Sequence, residues 1–496
     1  MIFRDRGLQL HDPRIKDMFE VFDLLKQNDR EMDFDIFKEF IQPRYSLFKK
    51  LIENQVTIKY WTNFVDRTRK IFNKIKDRDY GGSIPSYIPL LQKADPNAFA
   101  VSICTVDGQI FNFGDYKTHV SFQAISSVIS YLIALEQHGQ ETVSSFIGTE
   151  PSGKAFNWLE LMNDIPHNPL INSGNLVSCN LLYQDETLDR KYEYYSKVVQ
   201  RLIGGNKVHF DNEMYLNEIS HADRNYWLLY MLKEAGTIEK DASVKKILEF
   251  YTQTSAIEFD VEKYSILAAS LANGGICPLT DDRVFEDSNA VKGVLSQMLS
   301  CGMNTYSGKW AFKIGLPGKS SVSGMTILTI PNTMGIAVYS PNLDSHYNSK
   351  KGLIFLDKFV KEFGYDNIDQ VYGANMLHRL EQKIEDNQEN HTVSFQIIYN
   401  AKQNNLREIR KAVAHGNDIN CEDYDNRTPL HLACNYGNFE IVKYLVAHKA
   451  KINIKDRFGN SPLDEAVNNG FDEIVEFLKL ELKERKIRIQ KKIKTH

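Results

Sequence analysis

A 33-residue repeat near the C-terminus is the feature that most limits what this chain can fold into. Thr428-Pro429-Leu430-His431 recurs 33 residues later as Ser461-Pro462-Leu463-Asp464. A weaker copy of the same unit covers residues 394–420. A period of this length, with a Ser/Thr-Pro-Leu turn, is typical of helix pairs that stack into a solenoid. Because each pair buries its apolar face against a neighbour, about three units are the minimum for a stable array.

The period and the turn signature together match ankyrin repeats, so we predict an ankyrin solenoid over residues 391–480. His431 is expected to be structural, because it belongs to the junction between the turn and the helix of its repeat. Ankyrin arrays usually present a concave surface to a protein partner, which we therefore expect. Residues 481–496 form a basic tail, interpreted as a solvated helix end, with a contact surface for an acidic partner as the alternative.

Composition places the chain among ordinary soluble globular proteins. Its 496 residues suffice for roughly two to four domains. The formal net charge of -4 gives no reason to expect nucleic acid or an anionic membrane as the main partner. The sequence contains no run of about 18 apolar residues, so no membrane span is predicted. The 6 cysteines contain no C-x-x-C pair, which argues against a disulfide framework and fits a reducing compartment.

The N-terminal segment lacks the signals that direct a chain to other compartments. MIFRDRGLQLHDPRIKDMF contains early acidic residues and neither an apolar stretch nor a Ser/Arg-rich, acid-poor character. These features predict a cytoplasmic location. Residues 1–80 show helical apolar spacing and form a predicted EF-hand-like helical domain. The segment from Asn28 to Asp35 lacks the ligand order of an EF-hand loop, so no calcium site is predicted.

Strand patterns at both ends of the segment 84–375 predict its architecture. Asp107-Gly108, a dipeptide typical of a tight hairpin turn, separates the first two strands. The five predicted strands are FAVSICTV, QIFNF, KWAFKI (309–314), MTILTI (325–330) and GIAVYS (335–340). About 180 mostly helical residues lie between the two groups. We therefore predict a multidomain α+β chain, in which one antiparallel five-stranded sheet has helices on its faces.

Two common ligand motifs are absent. Residues 313–320 resemble the end of a P-loop, but Lys313 stands where that motif requires glycine, so nucleotide binding is not predicted. No H-E-x-x-H is present, and the 13 histidines show no ligand spacing. We predict neither a metal site nor a cofactor.

Short stretches spread over residues 84–385 match one known family. They are Tyr87-Ile-Pro-Leu-Leu, Val101-Ser-Ile-Cys-Thr-Val-Asp-Gly108, Glu150-Pro-Ser-Gly153, His167-Asn-Pro-Leu-Ile-Asn172-Ser-Gly174, Asp223-Arg-Asn225, Phe250-Tyr251, Leu271-Ala-Asn-Gly-Gly275, Ser300-Cys-Gly-Met303, Gly315-Leu-Pro-Gly-Lys-Ser320 and Ser340-Pro-Asn-Leu-Asp344. With these residues the chain resembles the glutaminases. Its helical N-terminus and ankyrin units resemble the kidney-type eukaryotic members. The resemblance implies a serine-β-lactamase-like, penicillin-binding-protein-like domain that hydrolyses L-glutamine to L-glutamate and ammonia.

The same resemblance implies that the catalytic positions are degenerate. The family uses the Ser of an S-x-x-K motif as nucleophile, and the Lys removes its proton. In this chain Ala124 occupies the nucleophile position and Ser127 occupies the lysine position. A tyrosine that follows S-C-G-M in the family is here Asn304. The family's K-S-G motif is here residues 319–321 (Lys-Ser-Ser).

The positions that contact glutamine in the family keep suitable residues. They are Tyr87, Gln123, Asn172, Glu218, Asn225 and Tyr251. Glu218 can accept hydrogen bonds from an α-ammonium, while amides and phenols suit a carboxylate or an amide. Val322 matches the residue whose backbone N–H contributes to the oxyanion hole, and a backbone donor survives a side-chain change. Taken singly, these residues are equally typical of structural roles, such as a core tyrosine, a turn asparagine or a solvated acid. Only their joint match to the family's glutamine-contacting positions predicts a pocket.

Three hypotheses follow from this contrast. The first is a glutaminase-fold protein that binds glutamine or glutamate but hydrolyses glutamine poorly or not at all, and acts as a sensor or assembly partner. The second is a working glutaminase with rearranged machinery, in which Ser127 is the best replacement nucleophile because it shares a helix face with Ala124. Without a nearby base, however, its hydroxyl stays protonated. The third is an ankyrin scaffold with an unused pocket.

The resemblance also bears on assembly, regulation and location. The family forms homotetramers and polymers, so we expect a homo-oligomer or a mixed oligomer with an active paralogue. Residues 154–163 align with a mobile loop near the family's tetramer contact. Phe156 and Leu159 match its apolar positions, whereas Trp158 and Glu160 depart from it, which puts phosphate regulation in doubt. The family is typically mitochondrial, which opposes the cytoplasmic location expected from the N-terminus.

Overall fold

The computed structural model describes residues 6–9, 12–18, 20–21, 34, 38, 41–53, 55–86, 88–365, 397–414, 418–423 and 425–493. Tyr87 and almost all of the EF-hand-like segment 28–35 lie outside these residues. The chain divides into two compact units, Met1–Met376 and Leu377–His496, which are described separately. No helix within the described residues is long and apolar enough to cross a membrane.

The first unit combines two antiparallel sheets with many helices. Its helices with described ends are α1 (Tyr45–Ile52), α2 (Trp61–Lys76), α3 (Ser126–Ser144), α4 (Asn172–Leu181), α5 (Leu188–Leu202), α6 (Asn212–Ser220), α7 (Asp223–Glu234), α8 (Val244–Ser255), α9 (Val261–Ala272), α10 (Ser288–Cys301), α11 (Ser307–Lys313) and α12 (Lys350–Phe363). Its strands are β1 (Ala100–Thr105), β2 (Ile110–Gly114), β3 (His119–Ser121), β4 (His209–Phe210), β5 (Ile257–Asp260), β6 (Gly318–Ser320), β7 (Met325–Ile330) and β8 (Met334–Tyr339).

The larger sheet has the strand order β2-β1-β8-β7-β6. All neighbouring strands are antiparallel, and β1 from the first part of the chain pairs with β8 from the last, with Ala100 opposite Tyr339. Every residue of β1, β7 and β8 is buried, which explains why their sequences are mostly apolar. The predicted antiparallel five-stranded sheet, formed by strands from both ends of this segment, is therefore confirmed.

The predicted strand at residues 309–314 is wrong, because residues 309–313 belong to helix α11 (Ser307–Lys313) and Ile314 follows its end. Trp310 and Ile314 are buried, whereas Phe312 is 85% exposed. A spacing of four residues puts two side chains on one face of a helix as well as on one face of a strand, so the pattern fitted both. The fifth strand is instead β6, and the Trp310 indole N–H donates to the Leu316 carbonyl at 2.7 Å just before it.

The helices pack closely on the larger sheet and through the core. Helix α9 lies against β8, and a Cβ added to Gly335 would stand only 2.1 Å from the Ala269 nitrogen. Most residues of α3 up to Leu135 are buried on all sides, as expected for a helix that runs through a core. Gly139 has φ of +76° and ends the regular part of α3.

The second unit stacks short helix pairs. Its helices are α13 (Leu406–Ala414), α14 (Pro429–Asn435), α15 (Phe439–Ala447), α16 (Pro462–Asn468) and α17 (Asp472–Ile493). Capping boxes begin α14, through Thr428 and His431, and α16, through Ser461 and Asp464. The His431 Nε2 atom lies 3.2 Å from the Asn460 carbonyl oxygen of the next repeat, and burial lowers the pKa of its ring. The two recurring motifs therefore fulfil the same local role.

Candidate functional site

A tight 3-10 turn, Gln123–Ile125, sits at the head of helix α3. The Phe122 N–H donates to the Ile257 carbonyl at 2.7 Å and so fixes this turn to strand β5. Gln123 is buried and has φ of +48°, an unusual backbone conformation for a residue other than glycine. Such conformations persist where the surrounding structure holds them, and they are common at ligand sites. This turn contains the predicted positions Gln123 and Ala124.

Glu218 reaches the turn from helix α6. The Gln123 Nε2 group donates to its Oε2 atom at 3.0 Å. Burial raises the pKa of Glu218 to about 7, although the hydrogen bond from Gln123 lowers it. No cation among the described residues forms a salt bridge with this carboxylate. Glu218 is therefore an acid that lacks a counter-ion and suits a ligand ammonium.

Asn172 and Asn225 form a second pair of predicted residues. Asn172 is the first residue of α4, and its Nδ2 group donates to Asn225 Oδ1 at 2.7 Å. Its Oδ1 atom is buried and accepts no hydrogen bond from the described residues. Because an unsatisfied buried acceptor is costly, this oxygen is ready to accept from a ligand donor. The Asn172 N–H also donates to the Phe156 carbonyl at 2.9 Å.

Ala124 and Ser127, which the resemblance predicts at the nucleophile and base positions, form no serine–lysine pair. Ala124 offers a methyl group, and the Ser127 hydroxyl donates to the Ala124 carbonyl at 2.7 Å. Both residues are buried. Asn304 lies beside the end of β6, where its Nδ2 group is 3.5 Å from Ser320 Oγ and 3.2 Å from the His346 carbonyl. Each hydroxyl or amide at these positions already has a partner from the protein.

Tyr251 and Val322 complete the described part of the predicted set. Tyr251 is buried on helix α8, which packs against the 3-10 turn. Val322 is half-buried and follows Ser321, whose hydroxyl donates to the Phe122 carbonyl at 3.1 Å. The end of β6 is thus joined to the residue before Gln123. The structure brings these elements together around one turn, whereas Tyr87 is outside the described residues.

Lys319 is a residue of this region that the predicted set omitted. It lies on β6, is fully buried, and donates from Nζ to the Ser320 carbonyl at 2.7 Å. Its Nζ atom is 5.7 Å from the centre of the Phe156 ring. Burial lowers the pKa of Lys319 to about 7. The K-S-G motif was the signal in the sequence, but a lysine on an edge strand usually faces solvent.

These features define a class of protein. A buried helix headed by a strained turn stands beside an antiparallel sheet, and the turn is ringed by amides, an acid and a lysine. Among the described residues, no group of three or more His, Cys, Asp or Glu side chains is placed to hold a metal ion. This is a β-lactamase-like domain with a cluster of polar side chains near the head of a buried helix, followed by ankyrin repeats.

Family models agree with this class and make it specific. The model described as Glutaminase matches residues 82–367, and the model described as Ankyrin repeats (3 copies) matches residues 397–491. The chain belongs to the glutaminase family. The predicted ankyrin repeats and the predicted β-lactamase-like fold are both confirmed.

Relatives and solved structures support the assignment over most of the chain. The liver isoform of mitochondrial glutaminase from Mus musculus is 34% identical over 440 residues, which cover 88% of this chain and 72% of that protein. A glutaminase from Clostridium tetani is 38% identical over 288 residues, 57% of this chain and 92% of that one. A structure described as "Probable glutaminase ybaS" has a TM-score of 0.59 at 30% identity and covers 62% of this chain and 98% of its own. Mglu in its glutamate form has a TM-score of 0.56 at 28% identity and covers 60% and 68%.

Proposed function

We propose that this chain binds L-glutamine or L-glutamate in the pocket around Gln123 and hydrolyses glutamine slowly or not at all. The proposal rests on the contrast between two neighbouring residues of the 3-10 turn, Gln123 and Ala124. Gln123 is held to Glu218 at 3.0 Å, while its neighbour Ala124 has no reactive group. The likeness to Mglu, which was solved in a glutamate form, supports an amino acid as the ligand.

The binding residues suit the polar groups of an amino acid. Glu218 lacks a counter-ion among the described residues and is placed to accept from the α-ammonium. The orphaned Oδ1 of Asn172 accepts from a ligand N–H, and Asn225 holds that amide in orientation. These contacts require no catalytic residue, so binding is separable from hydrolysis.

The chemistry that hydrolysis requires is missing from the same site. Attack on the glutamine amide needs a nucleophile and a base that accepts its proton. Ala124 has no nucleophile, and the Ser127 hydroxyl is donated to a backbone carbonyl. Loss of such groups in serine hydrolases lowers kcat by about 10⁴–10⁶. Ammonia release by the purified chain at saturating glutamine tests the proposal: turnover near the usual range of about 1–10³ s⁻¹ would refute it.

An active glutaminase with rearranged machinery is the second candidate. Its supporting observation is Lys319, a buried amine with a pKa of about 7 on strand β6, which contacts the 3-10 turn. Ser127 would then act as nucleophile, and Ser127→Ala would abolish any turnover that the chain shows. An unchanged rate in that variant would remove Ser127 from consideration.

An ankyrin scaffold with an unused pocket is the third candidate. The ankyrin repeats between residues 397 and 491 support a protein partner in every version of the proposal. Calorimetry with glutamine and glutamate separates this candidate from the first. Binding heat together with a higher melting temperature at millimolar ligand supports the amino acid site, and their absence supports the scaffold.

We also propose a homo-oligomer or a mixed oligomer with an active paralogue, as in the family. Two relatives at 34% identity are named mitochondrial, which favours that compartment over the cytoplasm. Cell fractionation with a C-terminal tag distinguishes the two locations. Recovery of the tagged chain only in the cytosol would refute the mitochondrial one.

A further inference from the structure

Lys319 is a buried cation without an opposite charge beside it among the residues that the structure describes. Its side chain is fully buried, and its Nζ atom contacts the Ser320 carbonyl at 2.7 Å and the Phe156 ring at 5.7 Å. Among the described residues, no carboxylate forms a salt bridge with it. A buried ammonium is costly unless an anion pairs with it. The group is therefore suited to an anion that the protein itself does not provide.

The ionisation of Lys319 reflects this lack of a partner. Burial lowers its pKa to about 7, with no neighbouring charge acting in the opposite direction. Near pH 7 the side chain is thus divided between its charged and neutral forms. A carboxylate bound beside Nζ would favour the charged form, so the ammonium would gain most of its stabilisation from a ligand.

Strand β6, which carries Lys319, contacts the 3-10 turn that contains Gln123 and Ala124. Ser321, two residues further along the extended chain and therefore on the same side, donates to the Phe122 carbonyl at 3.1 Å. Phe156, whose ring faces Nζ, accepts the Asn172 N–H through its carbonyl at 2.9 Å. The strand that carries Lys319 is thus linked to the residue before Gln123, and the Phe156 ring near its Nζ atom belongs to a residue bonded to the start of α4.

Glu218 and Lys319 are not paired with each other. Burial raises the pKa of Glu218 although the Gln123 hydrogen bond opposes this rise, and burial alone accounts for the lowered pKa of Lys319. The site therefore holds one acid and one base, each without its counter-ion among the described residues. A ligand with an ammonium at one end and a carboxylate at the other would satisfy both groups.

We propose that the site prefers L-glutamate to L-glutamine, because the buried ammonium of Lys319 pairs with the side-chain carboxylate of glutamate. This inference rests on the binding function proposed above. Glutamine presents a neutral amide at that position, which leaves the ammonium unpaired. The chain would then bind L-glutamate, the product of the family's reaction, in preference to L-glutamine, its substrate.

Calorimetry with both amino acids tests the preference in the full-length chain. We expect glutamate to bind about tenfold or more tightly than glutamine at pH 6.5, a difference of about 1.4 kcal/mol. Lys319→Met should weaken glutamate binding by about tenfold and change glutamine binding by less than about threefold. Lys313→Met, which removes an exposed lysine only six residues away, is the matched control and should leave both affinities unchanged.

The pH dependence gives an independent reading in the unmodified protein. Lys319 is charged below its pKa and neutral above it, so the ratio of glutamine Kd to glutamate Kd should fall by about tenfold from pH 6 to pH 8. Glu218 acts on the α-ammonium of both ligands, so its titration cancels in this ratio.

Two other titratable groups near strand β6 do not change their charge between pH 6 and pH 8. Burial raises the pKa of Cys301, on α10, to about 11 and the pKa of Tyr131, on α3, to about 12, and α10 packs against β6. His346 contacts Asn304 near Ser320, on the other side of the strand.

The outcomes separate this inference from the function on which it rests. If neither amino acid binds, the proposed binding function fails. If both bind with equal affinity, or if Lys319→Met keeps the full preference for glutamate, the binding function stands and the role of Lys319 is refuted. If Lys319→Met does not fold, the ratio measured from pH 6 to pH 8 decides, and a constant ratio overturns the inference.

Discussion

At the scale of single residues, the proposed site has hydrogen-bonded polar side chains but only a methyl group at Ala124. The side-chain pairs Gln123–Glu218 and Asn172–Asn225 join residues 95 and 53 positions apart in the chain. Resemblance to the family predicted these residue identities, but the sequence could not show the hydrogen bonds between them or the orphaned Oδ1 of Asn172. Those features depend on how distant segments pack.

Lys319 shows why part of the site escaped sequence analysis. Strand patterns predict lysine on an exposed edge, where its charge discourages aggregation. In the structure Lys319 is fully buried. Burial of an edge residue is decided by the elements that cover the edge, here the 3-10 turn and α10, and no local pattern contains that information.

Glu218 gives a prediction about pH. Because its pKa is raised to about 7, the carboxylate that attracts an α-ammonium forms mainly above pH 7. Glutamine affinity should therefore rise by up to about tenfold between pH 6 and pH 8. Glu218→Gln should lower the affinity and remove this rise, as measured by calorimetry.

Glu213→Gln is the matched control for that experiment. Glu213 lies on the same helix but is exposed and pairs with Lys93. Its removal should leave the pH dependence of glutamine binding intact. A Glu218→Gln protein that binds glutamine with the pH dependence of the unmodified chain would refute the assigned contact.

At the scale of elements, the sequence predicted the main sheet better than its edge. Long buried strands such as β7 and β8 are recognisable because their residues are mostly apolar and many are β-branched. Helix α11 was predicted as a strand because the four-residue spacing of Trp310 and Ile314 fits the periodicity of a helix and that of a strand. The second sheet, with order β3-β5-β4, was not predicted, since its strands of two to four residues are too short for a pattern.

The packing of α9 on β8 gives a prediction about stability. A methyl group at Gly335 would lie 2.1 Å from the Ala269 nitrogen, within a backbone that cannot move aside. Gly335→Ala should lower the free energy of unfolding by about 3 kcal/mol or more, or prevent folding. Chemical denaturation followed by circular dichroism measures the change.

Gly308→Ala provides the comparison for Gly335→Ala. Gly308 lies in helix α11, and a Cβ there would meet nothing within 4 Å. Alanine should be neutral or stabilise the chain by up to about 1 kcal/mol, because it favours helix. Equal destabilisation by the two substitutions would contradict the close packing of α9 on β8.

At the scale of the whole molecule, the chain joins a glutaminase domain, with the proposed amino acid site, and ankyrin repeats. The 33-residue repeat made the ankyrin unit predictable, since each copy carries its own capping residues. The pocket needed the family resemblance, because its residues are scattered over most of the first unit. A protein that binds a metabolite in one unit and a partner through the other fits a sensing or assembly role.

Helix α7 offers a test of the proposed oligomer. Trp227 and Tyr230 are 51% and 61% exposed and lie on neighbouring positions of one helix face. Exposed aromatic clusters of this kind are typical of protein interfaces. Replacing both with serine should lower the molar mass measured by light scattering after size exclusion.

Phe312→Ser is the control for the oligomer test, since Phe312 is 85% exposed on another helix. It should leave the molar mass of the unmodified chain unchanged. If the Trp227→Ser/Tyr230→Ser protein keeps its full mass, α7 is not the contact between subunits.

Ammonia release tests most directly the central claim that the pocket survives without its chemistry. The unmodified chain should be compared with the Ala124→Ser/Ser127→Lys/Asn304→Tyr variant, which restores the family's residues at three positions, with glutamine binding verified in both. We predict release by the variant and a rate at least about 10⁴-fold lower for the unmodified chain. Equal rates in the two proteins would contradict the account.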